Sequence, residues 1–139
     1  MTLDASQRGS FGELADILIP HAEGMPAATE IDIAGVALDR VLKVRPDLLA
    51  DLERAVKTDV GDPAAERIAA LQKHDPTAFD AVAIAAAGGY YTDSTVRGLI
   101  GYPGQTFTPE RLADTITLDD PLIRNVIARG PIYRPTPMP

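Results

Sequence analysis

The stretch TAFDAVAIAAA, from Thr77 to Ala87, decides the fold that this sequence predicts. It carries one charge, Asp80, and otherwise consists mostly of alanine and larger apolar residues. Because small side chains allow neighbouring helices to come close to a helix axis, we expect a central helix around which the others pack. The pair Gly88-Gly89 follows directly and is predicted to end this helix with a left-handed cap.

Capping residues and prolines predict where the other helices begin. Ser10 and Glu13 fit a capping box for a first helix that ends before Pro20. Four pairs place an N-cap acceptor before a proline that suits the first helical turn: Asp62-Pro63, Asp75-Pro76, Thr108-Pro109 and Asp120-Pro121. Gly130 is predicted to end the last helix.

Two further segments have helical patterns. Residues Ile31 to Val44 are apolar around most of a helix, with a polar stripe at Asp32, Asp39 and Lys43, and Pro46 to Thr58 predicts an amphipathic helix. Only DTITLDD alternates like a strand, and it is short. The sequence therefore predicts an all-α, compact single-domain bundle of five to seven helices over residues 1–130. Four prolines in the last ten residues predict an extended, proline-rich arm at residues 131–139.

Composition excludes several classes of function. A chain of 139 residues, 45% of them hydrophobic, is long enough for one domain with its own core. Cysteine is absent, which excludes disulfides, thiolate catalysis and cysteine-ligated metals. A net charge of −7 argues against nucleic-acid binding, which needs a basic face.

The ends of the chain and its apolar runs bear on location. The longest apolar run, Ala81 to Tyr91, is far shorter than the roughly 20 residues of a membrane-spanning helix, so no membrane span is predicted. The N-terminal residues show neither an apolar signal core nor a twin-arginine pair. We therefore expect a cytoplasmic protein, or a periplasmic one if it is exported together with a partner.

Residues suited to catalysis are sparse, and we predict no catalytic, cofactor-binding or metal-ligating residue in this chain. His21 lies two residues before Glu23, and His74 precedes Asp75, but neither pair has the spacing of a zinc site. A stand-alone metal-binding or acid/base enzyme that uses these four residues is the alternative hypothesis.

The segment GGYYTDSTVRGLIGYPGQT, Gly88 to Thr106, is predicted to be a loop that docks on a partner. It combines five glycines, three tyrosines and a proline, and tyrosine is common in protein interfaces. Asp93 and Arg97 fit an i,i+4 ion pair. The predicted interface residues, including three from the arm, are Tyr90, Tyr91, Arg97, Leu99, Ile100, Tyr102, Pro103, Ile132, Tyr133 and Arg134. The alternatives are that the rings cover the chain's own core and that the arm is a disordered terminus.

Two blocks of the sequence resemble the gluconate 2-dehydrogenase subunit 3 family. LADILIPHAEGMPAATEIDIAGVALDRVL, Leu14 to Leu42, resembles the family's N-terminal motif, in which a helix ending in LIP leads into a polar loop. GGYYTDSTVRGLIGYPGQ is similar to the family's aromatic and glycine-rich segment, which ends in GYPG or GFPG. Together the two blocks cover about a third of the chain, in the family's order.

This resemblance implies a non-catalytic small subunit that stabilises or matures a large partner. The partner would be an FAD-dependent oxidoreductase of the glucose–methanol–choline type that acts on CH–OH groups of sugars or polyols, and a cytochrome subunit sometimes completes such complexes. FAD is expected in the partner and not in this chain. The matching positions, with implied structural or interfacial roles, are Ile19, Pro20, Tyr91, Gly101, Tyr102, Pro103 and Gly104. The chain departs from the family in lacking its twin-arginine signal; only Arg8 lies near the start. A homo-oligomeric helical module is the third hypothesis.

Overall fold

The computed structural model describes residues 3–58, 60–105 and 121–130. Packing divides the chain into two units, residues 1–104 and residues 105–139, and each is described by itself. The structure thus places a division near Gly104, whereas the sequence predicts one helical domain as far as residue 130. The predicted arm at residues 131–139 and the predicted helix start at Thr108-Pro109 lie outside the described residues.

The described residues form seven α-helices and no strand, which confirms the predicted all-α class. In the first unit these are α1 (Ala5–Leu18), α2 (Leu38–Val44), α3 (Leu49–Lys57), α4 (Ala64–His74), α5 (Pro76–Thr92) and α6 (Ser94–Leu99). In the second unit α7 is Pro121–Arg129. Gly130, with a φ of +66°, follows α7 and ends it as predicted. Short 3-10 turns at Ala28–Ile31 and Pro46–Leu48 and a π-helical turn at Ile33–Ala37 complete the first unit.

Helix α5 is the central element of the first unit, as predicted, and packs against α1, α2, α3, α4 and α6. Its buried residues are mostly small: Ala78, Ala81, Val82, Ala85, Ala86, Gly89 and Tyr90. The prediction that Gly88-Gly89 ends the helix is wrong, because α5 continues to Thr92. At Gly89 an added Cβ would lie 2.7 Å from Ile33 Cδ1 and 3.4 Å from Ala37 Cβ, so this glycine allows a close contact instead of a cap.

Helix α1 begins earlier than predicted. The Asp4 carboxylate accepts a hydrogen bond from the Gln7 backbone N–H, and the Gln7 side chain accepts one from the Asp4 N–H, each at 2.9 Å. The predicted Ser10–Glu13 box is therefore wrong, and Ser10 lies inside the helix. The predicted end is correct: α1 stops at Leu18.

The two aspartate–proline caps in the described residues have different outcomes. Asp75 caps α5 as predicted, since its carboxylate accepts the Ala78 N–H at 3.1 Å. Asp62 does not cap α4, which follows Pro63 without a side-chain cap. The start of α4 therefore depends on packing: Ile68 and Leu71 on its inner side are buried.

The predicted continuous helix from Ile31 to Val44 is broken into three pieces. Asp32 adopts a left-handed conformation with a φ of +55°, and Gly35 departs from helical geometry with φ −97° and ψ −119°. A Cβ at Gly35 would collide with the Asp32 carboxylate, so a larger residue there requires that side chain to move. The break turns Ile33 and Leu38 into the core, and both are fully buried.

Helix α3 follows its predicted amphipathic pattern. Pro46 opens the 3-10 turn that leads into it, and Leu48, Leu52 and Val56 are buried. Arg54, on its outer side, donates from Nε to Asp75 Oδ2 at 3.2 Å. This ion pair links α3 to the beginning of α5.

The Asp75 contacts predict an acid-dependent contribution to stability. The hydrogen bond from Arg54, followed by that from the Ala78 N–H, holds the pKa of Asp75 below its ordinary value. A lowered folded-state pKa stabilises the fold above the unfolded pKa of about 3.9, and this contribution is lost as pH falls through the folded value. Asp75→Asn keeps a good N-cap acceptor but cannot titrate. We expect the variant to melt below the native chain at neutral pH, with a difference in Tm that shrinks between about pH 5 and pH 3. Thermal unfolding followed by circular dichroism measures this, and a difference that stays constant with pH contradicts it.

Candidate docking face

Helix α6 has an apolar side that extends beyond the core. The Asp93 carboxylate begins the helix by accepting the backbone N–H groups of Thr95 and Val96, at 2.8 and 3.3 Å. Val96 is fully buried, whereas Leu99 and Ile100, three and four residues later on the same side, are 54% and 48% exposed. The side of α6 that faces the core therefore continues into solvent after Val96.

The turn after α6 exposes an aromatic ring. Tyr102 is 50% exposed, its backbone N–H donates to the Arg97 carbonyl at 2.9 Å, and the Arg97 guanidinium carbon lies 5.5 Å from its ring centroid. Gly104 has a φ of +93°, as the predicted Pro103-Gly104 turn requires. A hollow of about 320 Å³ is lined by Arg97, Gly98, Gly101, Tyr102 and Pro103. We call the exposed residues Tyr91, Leu99, Ile100, Tyr102 and Pro103, together with Arg97, the docking face.

Arg97 contributes in a different way from the prediction. The predicted pair with Asp93 is wrong, because the Asp93 carboxylate caps α6 and the Arg97 guanidinium lies against Tyr102. Among the described residues, Arg97 Nε is a buried donor that lacks a hydrogen-bond partner. Such groups are uncommon in native proteins and cost about 1–3 kcal/mol. The Arg97 guanidinium thus contacts the Tyr102 ring and not the Asp93 carboxylate.

Tyr90 was predicted at the interface, and the structure places it in the core. Its ring is 2% exposed, and its hydroxyl donates to the Pro26 carbonyl at 2.6 Å. Tyr91, the next residue, is 58% exposed and meets the Tyr90 ring edge-on, with centroids 5.4 Å apart. Since α5 continues through the glycine pair, the two rings point about 100° apart around the helix. The alternative that these rings cover the chain's own core is correct for Tyr90, but Tyr91 and Tyr102 face solvent.

Three predicted interface residues, Ile132, Tyr133 and Arg134, lie outside the described residues. Their place in an interface stays a prediction.

Two of the four residues of the alternative enzyme hypothesis, His21 and Asp75, have other partners, and Glu23 and His74 are exposed. His21 Nδ1 lies 2.9 Å from Glu30 Oε2, not beside Glu23. This hydrogen bond, with a second from the Ala27 N–H, lowers the pKa of Glu30. Asp75 is bound to Arg54. Within the described ranges, no three histidine, aspartate or glutamate side chains come together as a metal-binding group.

Sequence reasoning missed a buried arginine that joins three helices. Arg67 of α4 is 2% exposed and donates to the Thr58 carbonyl, to the Val56 carbonyl and to Ser10 Oγ, at 3.1, 3.1 and 2.6 Å. Ser10 in turn donates to the Val56 carbonyl at 3.0 Å. Arg67 also lines a cavity of about 420 Å³ together with Ser6, Gly9, Ser10, Glu13, Val60, Gly61 and Asp62. Its position next to Ile68, on the inner side of α4, is the only sequence signal of its burial.

Comparisons of the chain with protein-family models, with curated proteins and with solved structures find no match. None of the described helices is both long and apolar enough to pass through a membrane. The function must therefore be argued from the geometry of the docking face and from the sequence resemblance.

Replacing Arg67 tests its structural role. Arg67→Ala leaves the Thr58 carbonyl and Ser10 Oγ without this donor and the Val56 carbonyl with Ser10 alone, so we expect the free energy of unfolding to fall by about 3 kcal/mol. Ser10→Ala removes one acceptor of Arg67 and one of the two donors to the Val56 carbonyl, and should cost about 1 kcal/mol. Urea denaturation measures both, and an Arg67→Ala chain as stable as the native one would show that the network contributes little.

Replacing Tyr90 tests its assignment to the core. Tyr90→Phe keeps the ring and removes the donor to the Pro26 carbonyl, so stability at neutral pH should fall by about 1 kcal/mol, while Tyr91→Phe should have no effect. Burial also raises the pKa of Tyr90. A raised folded-state pKa means that the native chain loses stability as pH rises beyond the unfolded tyrosine pKa of about 10. The phenylalanine variant should lose less in that range, and equal alkaline losses in both chains would contradict this.

Proposed function

We propose that this chain is a non-catalytic accessory subunit that binds a larger FAD-dependent oxidoreductase and stabilises or matures it. The partner is of the glucose–methanol–choline type, holds the FAD and oxidises CH–OH groups of sugars or polyols, with a cytochrome as a third subunit in some assemblies. The observation that carries the proposal is the apolar side of α6, where the buried Val96 is followed by the half-exposed Leu99 and Ile100.

The docking face has the properties of a protein interface. Burying its apolar surface would contribute about 25 cal/mol for each Å² removed from water. Tyr91 and Tyr102 offer large rings with a polar hydroxyl, the residue type that often dominates binding energy. The Asp93 cap and the Arg97–Tyr102 contact fix the backbone and the ring before binding. A prearranged surface loses less conformational entropy when a partner binds.

The sequence resemblance supports the choice of partner, because the matching positions of its second block belong to this face or to its turn, whereas Ile19 and Pro20 of the first block do not. Tyr91, Tyr102 and Pro103 are exposed on it. Gly101 and Gly104 have φ values of +69° and +93°, which glycine adopts with least strain. The GYPG motif is therefore the part of the chain that gives the turn its shape.

The groups considered for catalysis support a non-catalytic role. His21 pairs with Glu30 and Asp75 pairs with Arg54, so the polar contacts of these side chains are structural. The chain's contribution to the complex is then burial of the partner's surface, and an obligate interface of this kind covers roughly 2,000 Å² or more.

Co-expression with a glucose–methanol–choline type flavoprotein from the same source tests the proposal. We expect a one-to-one complex by light scattering that carries the flavin absorption band, and a large subunit that loses FAD or precipitates when it is expressed alone. Tyr102→Ala should weaken the complex by about 2 kcal/mol, or roughly thirtyfold, without changing the Tm of the free chain, because the ring is half-exposed. Val60→Ala, at an exposed apolar residue that lies outside the docking face, is the matched control. A large subunit that is stable, loaded with FAD and fully active alone, and that does not bind this chain, refutes the proposal.

A further inference from the structure

A second apolar surface lies between α2 and α5. It is a groove of about 330 Å³ lined by Arg40, Val41, Val44, Arg45, Ile84, Gly88 and Thr92. Val44 is 76% exposed and Ile84 41% exposed. Ile84, Gly88 and Thr92 are spaced four residues apart and so share one side of α5. They span about 12 Å, or two turns of helix.

Packing among the described residues does not require the glycine in the groove. A Cβ added at Gly88 would lie 3.5 Å from Val41 Cγ2, an ordinary van der Waals contact, so alanine fits without strain. At the neighbouring Gly89 the same change would bring Cβ to 2.7 Å from Ile33 Cδ1. Because a helix is less stable with glycine than with alanine inside it, the contacts between residues 3–58, 60–105 and 121–130 explain Gly89 but not Gly88. The missing side chain at Gly88 instead makes the groove deeper.

The groove is locally positive on an acidic protein. Arg40 on α2 lines the groove and has no ion pair or hydrogen bond to the described residues. Arg45 is neutralised by Asp47, with Nη2 2.6 Å from Oδ2, and Asp39 by Arg8. The chain as a whole has a net charge of −7, so an arginine without an ion pair to the described residues in the lining of an apolar groove is a local exception.

This charge identifies the kind of occupant. A second copy of this chain would bring its own Arg40 against the same cation, and like charges disfavour that contact. A groove two helical turns long with a glycine at its centre matches a helix that lies across it. We propose that the groove binds an α-helix of another polypeptide, which places an aliphatic side chain over Gly88 and an acidic side chain beside Arg40. This surface is distinct from the docking face and does not depend on the flavoprotein proposal.

A designed peptide tests the groove without any natural partner. The probe is a capped, helix-forming peptide with leucines along one side and flanking glutamates, and its control has lysines in place of the glutamates. Each is titrated into the full, ¹⁵N-labelled chain and followed by NMR. We expect the glutamate peptide to shift the amide signals of Val44, Ile84 and Gly88 and to bind at least tenfold more tightly than the lysine peptide.

Two variants separate groove binding from general effects on folding. Gly88→Ala should raise the Tm of the chain and yet weaken peptide binding at least tenfold, because the added methyl fills the groove. Arg40→Glu should lower the preference for the glutamate peptide over the lysine peptide at least tenfold. Gly98→Ala makes the same exchange in α6, where a Cβ meets no atom within 4 Å, and should leave peptide binding unchanged.

Four results would overturn the inference. The first is the absence of shifts at the groove, and the second is equal affinity for the two peptides. The third is native affinity in Gly88→Ala. The fourth is a different occupant. Amide shifts at Gly88 that depend on protein concentration in the absence of peptide would identify a second copy of the chain. Amide shifts with decanoate but not with peptide would identify a small amphiphile. Because none of these measurements involves the flavoprotein, their failure is distinct from failure of the proposed function.

Discussion

The first unit depends on the close contact between α5 and the segment that precedes α2. Gly89 has no side chain at the point where Ile33 and Ala37 meet the helix, and Ile33 is fully buried there. The helix can therefore continue through the glycine pair to Thr92 with a tightly packed neighbour on this side. That continuation places Tyr90 in the core and Tyr91 in solvent, and it sets the start of α6 at Asp93. The docking face is thus a consequence of one contact made at the far end of the central helix.

Much of the fold could be predicted because it follows from local patterns. Alanine between Thr77 and Ala87 indicated the central helix, and the Asp75-Pro76 cap set its start. The end of α5 could not be predicted, because a glycine pair after a helical segment can either cap the helix or continue it and allow close packing of a neighbouring segment. Only Ile33, more than fifty residues earlier in the chain, distinguishes the two cases. Ser10 is a second case in which a distant contact decides. Its sequence fits a capping box, but its hydroxyl is hydrogen-bonded to Arg67 and to the Val56 carbonyl, which lie far away in the sequence.

The candidate site was predictable in composition but not in detail. Leu99, Ile100 and Tyr102 were identified from their surroundings of glycine and proline, and all three are exposed. The prediction placed both Tyr90 and Tyr91 in a loop and therefore assigned both to the interface. Because they lie in a helix, their side chains point in different directions, one into the core and one into solvent. The groove at Gly88 had no sequence signal, since its second wall comes from α2 and the break near Asp32 sets where α2 begins.

Gly88 and Gly89, near the end of α5, both destabilise the helix, but they have different neighbours. Each lowers the stability of a helix by up to about 1 kcal/mol relative to alanine. At Gly89 the buried Ile33 offsets this loss through packing contacts within the chain. At Gly88 the chain provides Val41 on one side and an open groove on the other. An aliphatic side chain of a partner, bound in the groove, would offset the loss of helix stability at Gly88 through packing contacts, as Ile33 does at Gly89. Because Thr92 lines the groove and Tyr91 belongs to the docking face, the last two turns of α5 adjoin both surfaces, and a partner that orders these turns stabilises both at once.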